Sequence, residues 1–258
     1  MMRFSVLASG SGGNACYVET AECRLLIDAG LSCRETIRRL EMIDVDPREL
    51  DALILTHEHH DHIKGAGPIV RRFDIPLYLN AATLRRGIKT LGQVRRPIPV
   101  HTGQTITIKD IFVETFTKCH DAADPMGVVL SSNGIRMGMV TDMGRSTHVV
   151  EDRLQGCHAL ILEFNHDPEM LEKGSYPLEL KRRIRGPDGH LSNGQAGELL
   201  SALCHAELKK VVLAHLSREN NAPHRAIQVA EEVLMRSGHS HTEILVSDQD
   251  EPLPLVTL

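Results

Sequence analysis

The chain contains no tryptophan, three tyrosines and five phenylalanines among 258 residues. Proteins that hold single strands of nucleic acid by stacking use several aromatic side chains per site, so 3% aromatic residues argues against that mode of binding. No apolar run approaches the ~20 residues that span a bilayer. The opening MMRFSVLASGSGG lacks a long apolar stretch followed by a small-residue cleavage site, so the expectation is a cytoplasmic protein with no membrane partner. Six cysteines (Cys16, Cys23, Cys33, Cys119, Cys157 and Cys204) include no CxxC pair, which points to reduced thiols rather than a disulfide framework or a cysteine-type zinc site. No GKS/T sequence is present, which excludes a P-loop.

What is present suits a sizeable core. The chain is 41% hydrophobic and 24% charged, and residues 1–258 read as a single α/β (α+β) domain. Net charge is −5, which does not by itself advertise a nucleic-acid binder. The distribution is uneven, because Arg71, Arg72, Arg85, Arg86, Lys89, Arg95 and Arg96 lie between Lys64 and Lys109 against one acid, Asp74. That segment reads either as solvated helix faces or as a patch facing phosphates. Fifteen histidines is the compositional outlier, and histidine is the commonest metal ligand.

Short strands are predicted at 4–8, 16–19, 24–28, 52–55 and 76–79, with a helix over 32–44 capped by Ser32. TITIKDIFVETF alternates as a strand or hairpin, and Ser132-Asn133-Gly134 joins two further strands in a tight turn. Strands at 159–164, 210–214 and 243–247 then alternate with helices at 146–156, near 168–184, at 194–207 and at 223–237. The pattern predicts a β-sandwich with helices over both outer faces. ASGSGGNA imitates a dinucleotide fingerprint, but a strand and not a helix follows its glycines, so no nucleotide cofactor is expected. Ser9, Ser11 and Asn14 would bring that loop close to an anion, or the loop is a flexible turn.

LILTHEHHDHIKG, residues 53–65, places four histidines, a glutamate and an aspartate in six positions directly after an apolar strand. Surface or core histidines do not cluster in this way. In an extended loop, His57 and His59 share one side and suit one ion, while Asp61 and His62 turn toward another. Imidazole and carboxylate fit Zn²⁺, Mn²⁺ or Fe²⁺. Position 61 is Asp, so a helical HExxH site is excluded. Glu58 and His60 are expected to face outward or to support the ligands.

Asp28 at a strand end, HxHxDH at 57–62, His120 in TKCHDAADP, Asp142 in MVTDMG and His215 in VVLAHLS together resemble the five motifs of the metallo-β-lactamase superfamily, over nearly the whole chain. The resemblance implies a four-layer αβ/βα sandwich and two divalent ions. It implies that His57, His59 and His120 bind one ion, that Asp61, His62 and His215 bind the other, that Asp142 bridges them, and that Asp28 orients a ligand. Each later candidate follows an apolar strand (GMVT before Asp142, VVLA before His215), so the strand ends can converge on one cleft.

EFNHD, GHLSN and HLSRENN further resemble the YycJ/VicX (WalJ-type) branch, which is related to RNase Z and PhnP-type phosphodiesterases. That branch implies a 5′→3′ exonuclease acting on DNA, with RNA an open possibility, recognised through its phosphate backbone. Asp61, itself among the ligands, and His190 are the catalytic candidates, His190 as proton donor to the leaving alkoxide or else as a loop-stabilising histidine. Glu163, His166, Ser192 and Asn193 are expected behind the ligands or toward the substrate. His166 would contact phosphate or a ligand, or sit as a satisfied core histidine. A homo-oligomer is compatible with the sequence. Rival readings are a small-molecule phosphodiesterase, a glyoxalase II-like thioesterase, and a regulatory protein with structural metal.

Overall fold

The computed structural model describes all 258 residues. The first sheet contains β1 (Arg3–Ala8), β2 (Ala15–Glu19), β3 (Arg24–Ile27), β4 (Ala52–Ile54), β5 (Leu77–Leu79) and β6 (Pro97–Pro99) in sequence order. The second contains β7 (Thr105–Ile108), β8 (Ile111–Thr117), β9 (Met126–Ser132), β10 (Ile135–Val140), β11 (Ala159–Glu163), β12 (Lys210–Ala214) and β13 (Glu243–Val246), also in order; β14 (Val256–Thr257) returns to pair with β1. The helices are α1 (Cys33–Met42), α2 (His60–Ile63), α3 (Ala66–Phe73), α4 (Ala81–Leu91), α5 (His148–Leu154), α6 (Pro168–Lys173), α7 (Leu178–Arg185), α8 (Asn193–Leu203) and α9 (Pro223–Arg236).

Three apolar layers hold these elements together. Phe4, Val18, Ile27 and Ile54 of the first sheet meet Val113, Val128, Met139 and Ile161 of the second. Leu40, Ile63, Ile69 and Leu91 seat α1–α4 on the outer face of the first sheet, and Leu154, Leu199, Ala226 and Leu234 seat α5, α8 and α9 on the second. The expected four-layer αβ/βα sandwich is therefore what forms. Truncating a fully buried residue of the central layer, such as Ile161, to Ala would cost about 2–5 kcal/mol.

Most predicted elements lie within two residues of their expected places. Asn133 and Gly134 both have positive φ (49° and 80°), as a two-residue hairpin turn requires. The helical stretch near 168–184 splits into α6 and α7, interrupted around Gly174 and Pro177, and α8 ends at Leu203 rather than near 207. β6, the sequence Pro-Ile-Pro, occupies a sheet edge, where missing N–H donors cost nothing. The predicted extended loop becomes a single helical turn, α2, from His60 onward.

Strands β3 to β6 run parallel, as do β10 to β13. Their carboxyl ends therefore share an edge, and in open α/β sheets that edge is where ligands bind.

Candidate metal centre

Three residues at this edge have left-handed backbone although none is glycine: Asp28 (φ 58°) after β3, Asp142 (φ 55°) after β10 and His215 (φ 58°) after β12. Such conformations persist only where the surroundings enforce them, and they concentrate at functional sites.

The structure brings together all seven residues expected as ligands, in two groups: His57, His59 and His120, and Asp61, His62, Asp142 and His215. Asp142 lies between them. Its Oδ2 is 3.0 Å from His62 Nε2, and its Oδ1 is 3.3 Å from His215 Nε2 and 3.9 Å from His120 Nε2.

Each imidazole is fixed from behind. His57 Nδ1 donates to Thr56 Oγ1 (3.0 Å), whose hydroxyl donates to Asp28 Oδ2 (2.8 Å). His62 Nδ1 donates to the same Asp28 oxygen at 2.8 Å. His59 Nε2 donates to the Asp121 carbonyl (3.2 Å), His120 Nδ1 to the Gly189 carbonyl (3.2 Å) and His215 Nδ1 to Glu163 Oε1 (3.0 Å). In each ring the remaining nitrogen faces the cluster: His59 Nδ1 and His120 Nε2 approach to 3.1 Å. His57 Nε2, His215 Nε2 and Asp142 Oδ2 are buried without any hydrogen-bond partner. Orphaned buried polar atoms are costly, and rings whose outer N–H is held by an acceptor are the usual arrangement of metal-binding histidines. The donor set fits divalent metal ions, and we conclude that this edge binds divalent metal.

The electrostatics agree. Burial pulls the His62 imidazole down, yet Asp142 and Asp28 on its two nitrogens outweigh burial and push it up to about 10. Burial alone would raise the Asp142 carboxyl, but His215 and His62 hold it well below the usual carboxylate range. Metal binding displaces protons held by such groups, so affinity rises with pH.

Glu163, fully buried at the end of β11, accepts from five donors: the backbone N–H groups of Asp142 (3.2 Å), Met143 (2.9 Å) and Leu191 (3.0 Å), and Nδ1 of His190 (2.8 Å) and His215 (3.0 Å). Its oxygens are thus saturated from behind the cluster. Burial opposes its charge, but His190 and His215 hold the carboxyl well below its ordinary range. His190 stacks on His215 with centroids 5.2 Å apart, and its Nε2 has no protein partner.

The glycine-rich loop turns out to brace the site. Ser9 Oγ accepts the His215 N–H at 2.7 Å, and Asn14 Nδ2 lies 3.1 Å from Asp61 Oδ2 and 3.0 Å from His62 Nε2. Gly30 permits this approach, because a Cβ there would lie 1.6 Å from the Asp61 carbonyl oxygen. Ser192 caps α8 in a capping box with Gln195, and Asn193 exchanges hydrogen bonds with Asn221, so neither side chain enters the cluster. His166 is buried beside them, outside both ligand groups, with Nδ1 unpartnered. Glu58 accepts the Ala123 N–H (2.8 Å), and His60 is exposed.

Sequence reasoning missed Lys118, Thr56 and Asp121. Lys118 is buried at the end of β8, donates to the Thr141 carbonyl, and brings a cation toward Asp142 and Asp28; burial lowers its ammonium pKa while those carboxylates resist the shift. Its one signal was its place two residues before His120. Thr56 and Asp121 stood inside the motifs but were not singled out.

No helix of the structure is long and apolar enough to cross a membrane. The profile described as the beta-lactamase superfamily domain matches residues 23–216. The chain is 36% identical over 256 residues to the exodeoxyribonuclease YycJ of Bacillus anthracis, covering 98% of this chain and 97% of that protein. It is 38% identical over 223 residues to the exodeoxyribonuclease WalJ of Streptococcus pneumoniae, covering 85% and 83% respectively. Among solved structures, the metallo-β-lactamase fold protein YhfI of Bacillus subtilis superposes with a TM-score of 0.76 at 17% identity, covering 98% of each chain.

Proposed function

This chain belongs to the beta-lactamase superfamily, and from that premise we propose that it is a two-metal phosphodiester hydrolase that degrades DNA from its ends, as a 5′→3′ exonuclease. The observation that carries the reading is the convergence of five imidazoles, each fixed from behind, on Asp142. His57, His59 and His120 would hold one ion, Asp61, His62 and His215 the other, and Asp142 both. Zn²⁺ or Mn²⁺ suits these donors, and Fe²⁺ does also. Bound ions would supply charge to the phosphoryl oxygens and activate water near neutral pH.

The chain's own residues account for the rest. Glu163 accepts from His190 Nδ1 at 2.8 Å and so fixes the ring, and His190 would donate the proton to the leaving alkoxide from Nε2. Asn14 and Ser9 keep Asp61 and His215 in place. Phosphate contacts fall to cations with no internal partner. Arg71 instead donates to the Leu91 and Gln93 carbonyls and Arg96 to the Asp74 carbonyl, so these two tie the fold together. Arg85, Arg86 and Lys89 stay exposed on α4, which packs against α2 of the ligand motif. Their spacing suits backbone phosphates, which carry no sequence information.

The test is digestion of end-labelled duplex DNA and RNA with Mn²⁺ and with Zn²⁺, alongside a thioester substrate. The expected result is release of nucleotides from DNA ends, lost in Asp142→Ala. Inert DNA ends with rapid thioester hydrolysis would contradict the proposal.

A further inference from the structure

Four basic residues lie on α7, and the structure separates them. Lys181 donates to the Glu172 carbonyl, and Arg185 pairs with the Glu172 carboxylate. Arg182 is exposed without a partner. Arg183 differs from all three: its Nε donates to Asp121 Oδ2 at 2.6 Å. Asp121 follows His120, holds His59 through its carbonyl, and places Oδ1 3.6 Å from His120 Nε2. The same loop is fastened to the segment leading to His190, since the Asp121 N–H donates to the Asp188 carbonyl at 3.1 Å and the His190 N–H to the Ile184 carbonyl at 2.9 Å.

Arg183 is therefore fixed at the rim of the metal centre between two of its loops, yet its side chain is 56% exposed. Only Nε is engaged, which leaves the terminal fork, Nη1 and Nη2, without a protein partner. A guanidinium anchored along one edge has lost the rotamer freedom that binding would otherwise cost, and its free fork matches two phosphate oxygens.

We infer that Arg183 is a substrate-binding residue that grips the phosphate flanking the scissile bond of a nucleic-acid end, with Asp121 as the residue that aims it. The inference rests on the nuclease reading above. It distinguishes a polynucleotide from a small diester, because only the former carries a neighbouring phosphate for the fork.

The test compares the metal-loaded parent with Arg183→Gln and Arg183→Lys on end-labelled duplex DNA and on bis(p-nitrophenyl) phosphate, with metal content and thermal midpoint measured on each. For Arg183→Gln we expect KM on DNA to rise about tenfold and the slope of log(kcat/KM) against log salt to become shallower by about one, the signature of one lost phosphate contact. The loss on the small diester should be smaller than on DNA, with metal content unchanged. Arg183→Lys should recover part of the DNA effect, since it keeps the charge and loses the fork. An unchanged KM and salt slope on DNA would overturn the inference, as would equal losses on both substrates accompanied by lost metal, which would make Arg183 a brace acting through Asp121. A parent that hydrolyses the small diester but leaves DNA intact would instead overturn the nuclease reading, and this inference with it.

Discussion

The two sheets supply the metal centre in different ways. The first delivers His57, His59, Asp61 and His62 from one short stretch, part loop and part helical turn, directly after β4. The second delivers His120, Asp142 and His215 singly, after β8, β10 and β12, two of them in left-handed backbone. Each region has one buried carboxylate behind it. Asp28 gathers His62 and both polar groups of Thr56, while Glu163 gathers two imidazoles and three backbone N–H groups. A contiguous motif is shaped mostly by its own backbone. A dispersed one depends on a shared anchor, so the loss of that anchor should matter more.

Asp28→Asn and Glu163→Gln put the contrast to the test. Residues of this kind typically cost about 10–100-fold in metal affinity or activity when replaced. We expect Glu163→Gln at the upper end of that range and Asp28→Asn at the lower, with Asn also tolerating the left-handed backbone at position 28. Chelator competition measures the affinities. Equal losses, or a larger loss in Asp28→Asn, would break the comparison.

A smaller effect concerns His166, in the second region. Burial holds its imidazole down to about 4, below the ~6.5 of an unfolded chain. Between these values the unfolded state binds the extra proton. The stabilising effect of keeping His166 neutral is therefore fully present above about pH 6.5 and is lost as pH falls toward 4. Chemical denaturation across that window should show stability falling with acidity, and His166→Gln should flatten part of the slope. An identical slope in the variant would remove His166 from the account.

The same contrast explains what was legible in the sequence. HxHxDH announces itself because its chemistry is local. The hairpin at Asn133-Gly134 and the Ser32 cap are local too, and both stand where expected. His120, Asp142 and His215 were placed only through a resemblance spanning the chain, since a single strand-end His or Asp has many ordinary explanations. Glu163 could be located at a strand end, but its five donors come from three separate segments and no spacing rule reports them. Lys118 escapes a reading of the sequence, because burial is a property of the assembled sheets. The basic segment showed its charge but not which of its arginines were already bonded to carbonyls.

The central claim is that two dispersed groups of side chains hold a pair of cations around Asp142. Anomalous diffraction from crystals grown with Mn²⁺ or Zn²⁺ tests it directly. The account predicts two peaks, one bounded by His57, His59 and His120 and one by Asp61, His62 and His215, both in contact with Asp142. A single peak, or two peaks that leave Asp142 unligated, would contradict it.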